Sequence, residues 1–216
     1  NLTDGLVAHY PFNGSFNDIS GSGYHLSEEN PGNTGFNDED TAASFDASQY
    51  GLHYQTTGGV IPDGAQTMSC SFKFSGEQNQ WGGSQMIMAM GQHGSSWFQV
   101  HLQPTDDGWL FRSFEDVPVT PGIWYHMAYV RDQDLGLDLA YLNGEKVGEK
   151  PIVNNGVTSP LVSIGVLKGS SLGDWTRQNF IGSIDNARVY NRALSAAEVT
   201  ELYGLDKVGN SGSQTL

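Results

Sequence analysis

The sequence predicts an all-β chain folded as a sandwich of two antiparallel sheets, and three observations lead there. Glycine is frequent, 28 of 216 residues, and eight prolines add further breaks, so turns punctuate the chain at short intervals. The segments between turns alternate apolar and polar residues with period two, or run apolar over a strand's length. Only one stretch, residues 195–203, carries helical spacing. About a dozen strands with one short helix need two packed sheets to bury their apolar faces.

The strands fall at residues 6–12, 42–45, 51–54, 67–74, 85–90 and 97–103, then at 109–114, 124–131, 137–142, 161–166 and 180–190. In 67–74, Met68, Cys70, Phe72 and Phe74 share one face, which makes the single cysteine a small buried hydrophobe. In 97–103, Phe98, Val100 and Leu102 face a core, while Trp97, Gln99, His101 and Gln103 form the opposite, polar face. Asn143-Gly144 joins 137–142 to 145–147 as a tight hairpin, because both residues tolerate positive φ. Ser195 caps the helix and Glu198, three residues on, completes a capping box ahead of Val199 and Leu202. Residues 28–40 read as a long polar loop. One domain fills 1–206, and the Gly/Ser/Gln/Asn-rich stretch 207–216 reads as a linker or disordered tail.

Lys and Arg number 10 against 24 Asp and Glu, a formal charge of −14. That excess repels nucleic-acid phosphates and anionic headgroups. No apolar run approaches the ~20 residues that cross a bilayer. One cysteine excludes an internal disulfide framework and a cysteine-rich zinc cluster. The chain begins at Asn1 without Met, as an excised mature domain would.

Paired catalytic glutamates spaced E-x-D-x-x-E on one strand, as in jelly-roll glycoside hydrolases, are absent. So are G-x-S-x-G, H-E-x-x-H, P-loop and G-x-G-x-x-G patterns. A lyase site scattered over several strands is harder to exclude, and His101, His126, Arg112, Arg131 and Tyr129 could make one. The expectation is a non-catalytic chain. Residues 13–23 (NGSFNDISGSG) pack oxygen donors and glycines into one loop, which suits a hard cation once a distant segment adds a carboxylate. Sugar binding by a sandwich needs an aromatic platform and polar groups for hydroxyls. Trp97, Gln99 and His101 supply these, with Trp109 and Arg131 as further candidates and Trp81 and Trp175 on rim loops. The acidic balance disfavours strongly anionic polysaccharides unless calcium or Arg112, Arg131 and Arg177 bridge them.

The opening GLVAHYPFNGSFNDISGSGYHL, residues 5–26, resembles the start of bacterial laminin-G-like, concanavalin A-like lectin/glucanase domains of the pentraxin-like jelly-roll type. Further marks follow in order: ASFD at 43–46, TMSCSFKF at 67–74, WYHMAYV at 124–130, AYLNG at 140–144 and FIGSIDNARVYNRALS at 180–195. The resemblance implies a jelly roll whose terminal segments pair. It also implies a structural Ca²⁺ held by the carboxylates of Asp18 and Asp185 and by backbone oxygens of Gly23, His25 and, less centrally, Ser183. The competing role for Asp185 is an ion pair with Arg188 or Arg192. The function it implies is a lectin-like carbohydrate-binding module of a secreted or cell-surface protein, its partners a glycan or polysaccharide and other domains of a larger chain. The alternative is a structural or protein-interaction domain of an adhesin, and after it a jelly-roll lyase or hydrolase.

Overall fold

A computed structural model describes residues 1–28, 34–36, 42–46, 52–55, 64–79, 83–91, 98–112, 115–153, 161–166 and 178–210. Fifteen strands and one helix lie in this part of the chain. They begin with β1 (Leu6–Tyr10), β2 (Ser27–Glu28), β3 (Thr34–Phe36), β4 (Ala43–Phe45) and β5 (Leu52–Gln55). Next come β6 (Gln66–Phe74), β7 (Gln85–Met90), β8 (Phe98–Thr105), β9 (Gly108–Arg112) and β10 (Asp116–Val119). The series closes with β11 (Tyr125–Asp132), β12 (Leu137–Leu142), β13 (Glu145–Pro151), β14 (Leu161–Ile164), β15 (Gly182–Tyr190) and α1 (Ala196–Asn210).

Two antiparallel sheets result. The eight-stranded sheet runs β13-β12-β11-β6-β15-β4-β3, with β1 paired to the far half of β15. The seven-stranded sheet runs β10-β9-β8-β7-β14-β5-β2. Between them lies an apolar core that joins Phe72, Phe74 and Met127 of one sheet to Met88, Val100, Leu102, Phe111 and Ile164 of the other. Helix α1 covers the outer face of the eight-stranded sheet, where Val199 and Leu202 pack with Ala128, Val130, Leu139 and Tyr141. The predicted two-sheet sandwich is what forms.

Local chemistry explains the details. Asn143 and Gly144 take φ of 53° and 79°, the left-handed pair a two-residue hairpin needs. Ser195 Oγ accepts from Glu198 N at 3.3 Å while Glu198 Oε2 accepts from Ser195 N at 3.0 Å, so the capping box closes as read. Arg192 grips the same carboxylate through two N–H groups at 2.7 and 2.9 Å and holds Glu198 down to about pKa 2. Asn186, at φ 51°, sits in a bulge of β15 between Asp185 and Arg188.

Three expectations change. The polar stretch 28–40 contains a strand, β3, which pairs with β4 and stacks Phe36 on Phe16 at 4.8 Å between ring centroids. Strand β10 is not among the strands expected above, and it carries Pro118. It is an edge strand, where a missing N–H costs no ladder bond. The helix continues to Asn210, so residues 207–210, expected in the tail, are helical. Asp206 anchors that extension: it is 2% exposed and accepts from Arg188 Nη1 at 2.9 Å.

Candidate functional site

The outward face of the seven-stranded sheet collects polar side chains, three of which carry an atom with no partner among the described residues. On β8, Val100 and Leu102 point into the core, and Gln99, His101 and Gln103 point away from it, each half-buried. Gln99 lies across from Ala89 of β7, and Ala89 lies across from Ser163 of β14. Cross-strand partners share a face, so Ser163 and Gln99 flank Ala89 about 10 Å apart at the usual strand spacing. Two residues along β8, about 7 Å away, His101 lies across from Met86. Met86 and Ala89 are fully buried and make a small apolar floor of their own, separate from the main core.

Around that floor, Ser163 Oγ, Gln99 Oε1 and His101 Nδ1 are all buried, and among the described residues none of them has a hydrogen-bond partner. Burial first, and then the charge of Arg112, pull the His101 pKa down to about 4, so its ring is neutral at pH 7. A neutral imidazole has one donor and one acceptor nitrogen. Gln103 is already engaged: its Oε1 accepts from Ser84 Oγ at 2.6 Å and its Nε2 donates to the Pro104 carbonyl. The arrangement therefore holds a hydroxyl, an amide oxygen and an imidazole, with Ser163 0% exposed and the three polar atoms buried, above a methyl-and-thioether floor. That chemistry suits a ring carrying several hydroxyl groups.

Not every predicted residue joins this face. Trp109 turns inward, only 9% exposed, and meets Phe74 edge-on at 5.5 Å. Arg131 lies on the other sheet, 4% exposed, with its guanidinium locked on Asp138. Both are corrections: one indole fills core, and one cation is consumed by a buried carboxylate. Trp81, Trp97 and Trp175 lie outside the described residues, as does Arg177. Ser163 was missed, although the alternation Val162-Ser163-Ile164 within an expected strand already put it opposite the core.

Both carboxylates of the expected calcium set are engaged by donors of the fold. All four acceptor positions of the Asp18 carboxylate are taken: Oδ1 accepts from His9 N and Ser20 N, and Oδ2 from Ser20 Oγ and Tyr24 N, at 2.8–3.0 Å. These bonds hold its pKa below the ordinary value despite burial. His25 uses its ring Nδ1 to accept from Asp18 N. Asp185 faces elsewhere. Its oxygens accept from Asn186 N and Nδ2, and burial pushes its pKa up to about 7. Neither expected ion pair forms at Asp185, since Arg188 pairs with Asp206 and Arg192 with Glu198. Ser183 is buried at the β15–β4 register opposite Ser44, and Gly23 sits at φ 79°. Among the described residues, no three His, Cys, Asp or Glu side chains converge as a metal site. The donors present do not fit a shared Ca²⁺, so addition of EDTA is expected to leave the melting temperature unchanged within a degree or so. A fall of about 5 °C, reversed by calcium, would show that the ion is structural.

Known proteins share this architecture. Domain 4 of an extracellular arabinanase of family GH43 from Geobacillus stearothermophilus, solved in complex with arabinotriose, superposes with a TM-score of 0.66 at 20% identity, covering 92% of this chain and 98% of that domain. The binding domain of Paraclostridial Mosquitocidal Protein 1 gives 0.69 at 16% identity, covering 95% of this chain. The binding domain of botulinum neurotoxin serotype G gives 0.66 at 16%, again with 95% covered. The chain spans about half the length of each toxin domain, 53% and 52%. A search of curated proteins finds no match. The family model described as concanavalin A-like lectin/glucanases superfamily matches residues 46–200, well over half of the sequence, and with the jelly-roll sandwich described above the chain belongs to that superfamily.

Proposed function

We propose that the chain is a non-catalytic carbohydrate-binding module of a larger extracellular protein, and that its ligand lies on the outward face of the seven-stranded sheet. The observation that carries this reading is the trio Ser163, Gln99 and His101, whose buried polar atoms have no partner among the described residues. A buried polar group without a partner costs of order 1–3 kcal/mol. Sugar hydroxyls, which both donate and accept, would satisfy all three at once. The likeness to an arabinanase domain solved with arabinotriose supports the same class of ligand. No helix of the described residues is long and apolar enough to cross a membrane.

Two near-isosteric changes test the face without disturbing the core. Gln99→Met and His101→Phe keep volume and remove the orphaned acceptors. Each is expected to weaken oligosaccharide binding about tenfold, or ~1.4 kcal/mol. The melting temperature should hold or rise slightly, because among the described residues neither Oε1 of Gln99 nor Nδ1 of His101 gives up a hydrogen bond. Isothermal titration with neutral oligosaccharides, arabino-oligosaccharides first, reads the affinity. If a broad glycan array retains nothing, the carbohydrate reading falls.

A further inference from the structure

The same face carries one charged pair, and its position bears on which sugars can settle there. Arg112 on β9 lies directly across from His101 on one side and from Asp116 of β10 on the other. Its Nε donates to Asp116 Oδ1 at 3.0 Å. Both side chains are about half exposed, 47% and 53%, within reach of a molecule on the face. Among the described residues, Arg112 is the only lysine or arginine on the seven-stranded sheet.

A guanidinium presents five N–H donors in a planar fork that matches a carboxylate. It is the group on this face to which an acidic sugar would anchor. Asp116 already occupies one edge of that fork and repels a second carboxylate brought to the same place. The chain's formal charge of −14 adds to that repulsion at longer range. Resting on the carbohydrate reading above, we infer that Asp116 is a specificity-determining residue: by neutralising Arg112 it restricts the face to uncharged sugars and excludes uronic-acid polymers. The pair is solvent-exposed and contributes little to stability, so the carboxylate can be removed without unfolding the chain.

The experiment compares the wild-type chain with Asp116→Asn and with the double variant Arg112→Gln/Asp116→Asn. Affinity electrophoresis and titration calorimetry are run against neutral polymers (arabinan, xylan, mannan and β-glucan) and against polygalacturonate. The expected result is that wild type binds at least one neutral polymer and not polygalacturonate. Asp116→Asn should bind that neutral polymer within about twofold of wild type and polygalacturonate at least about tenfold more tightly than wild type does. The double variant should lose the gain, and so should Asp116→Asn in 0.5 M salt, roughly a 4 Å screening length. Wild type that binds polygalacturonate as well as a neutral polymer overturns the inference. So does an Asp116→Asn chain that keeps its neutral ligand and gains no acidic one. If no chain binds any polymer, the inference falls with the carbohydrate reading itself, a result distinct from the other two.

Discussion

Replacing Gly182 with alanine is expected to destabilise the chain by about 4 kcal/mol or more, enough to leave little folded protein at 37 °C. Gly182 opens β15 at the middle of the eight-stranded sheet, paired with Phe74 of β6 on one side and Phe45 of β4 on the other. Its φ of 143° is one that residues with a Cβ rarely adopt. A Cβ there would also fall on the Lys73 carbonyl oxygen and 2.7 Å from Phe74 Cα. Both obstacles are backbone, so no side-chain rotation relieves them. The β6 and β15 backbones would have to part where they carry the sheet's central ladder. Gly35→Ala is the control. Gly35 is exposed on edge strand β3, and nothing lies within 4 Å of its added Cβ. That change should stay within about 0.5 kcal/mol. Urea unfolding followed by tryptophan fluorescence measures both. Equal stability of the two variants would refute the close approach at Gly182.

Truncating Asp138 is expected to have the second-largest effect, a loss of about 3–5 kcal/mol. Arg131 and Asp138 stand opposite each other on β11 and β12. The guanidinium donates twice to the carboxylate, Nε to Oδ1 at 2.7 Å and Nη2 to Oδ2 at 2.8 Å. Both residues are 4% exposed or less. An Asp138→Leu change leaves the cation buried against apolar surface, where desolvation is not offset. The double change Arg131→Met/Asp138→Leu removes both charges and should recover most of the loss, to within about 1–2 kcal/mol of wild type. Carbohydrate binding should be the same in the double variant, because the pair lies on the sheet opposite the proposed ligand face. A double variant no more stable than Asp138→Leu would mean that the apolar replacements pack badly. One that folded but lost glycan would return Arg131 to the site.

These two positions show what a single sequence discloses and what it withholds. Features set within a few residues were legible. Asn143-Gly144 fixed a hairpin, Ser195 and Glu198 fixed a helix start, and the alternation through Gln99, Val100, His101 and Leu102 separated a core face from an outer one. Features set by partners far along the chain were not. Arg131 reads as an available cation until Asp138 is placed across from it, and Trp109 reads as a platform until Phe74 is placed against it. Strand β3 forms inside a polar stretch because β4 offers it an edge, a fact of tertiary assembly. Asp18 shows a subtler limit. An aspartate among glycines and serines suits a cation and a turn equally. Four donors from positions 9, 20 and 24 decide for the turn. Ser163 matters only because β8, two strands away in the sheet, carries Gln99 and His101 to the same side.

The pairing of β1 with β15 has a mechanical consequence. Leu6 lies opposite Tyr190, so the chain enters this hairpin-like pair and leaves it at the same end. Tension applied at that end, to the residues just before Leu6 and just after Tyr190, would load these hydrogen bonds one after another, like a zipper, and not all together in shear. The resisting element at that end is a small clasp: Arg192 reaches the carbonyls of Asp4 and Asn1 and pairs with Glu198 at 2.7 Å. Opened from that end, the pair would peel the leading strand β1 from β15, on the sheet opposite the proposed ligand face.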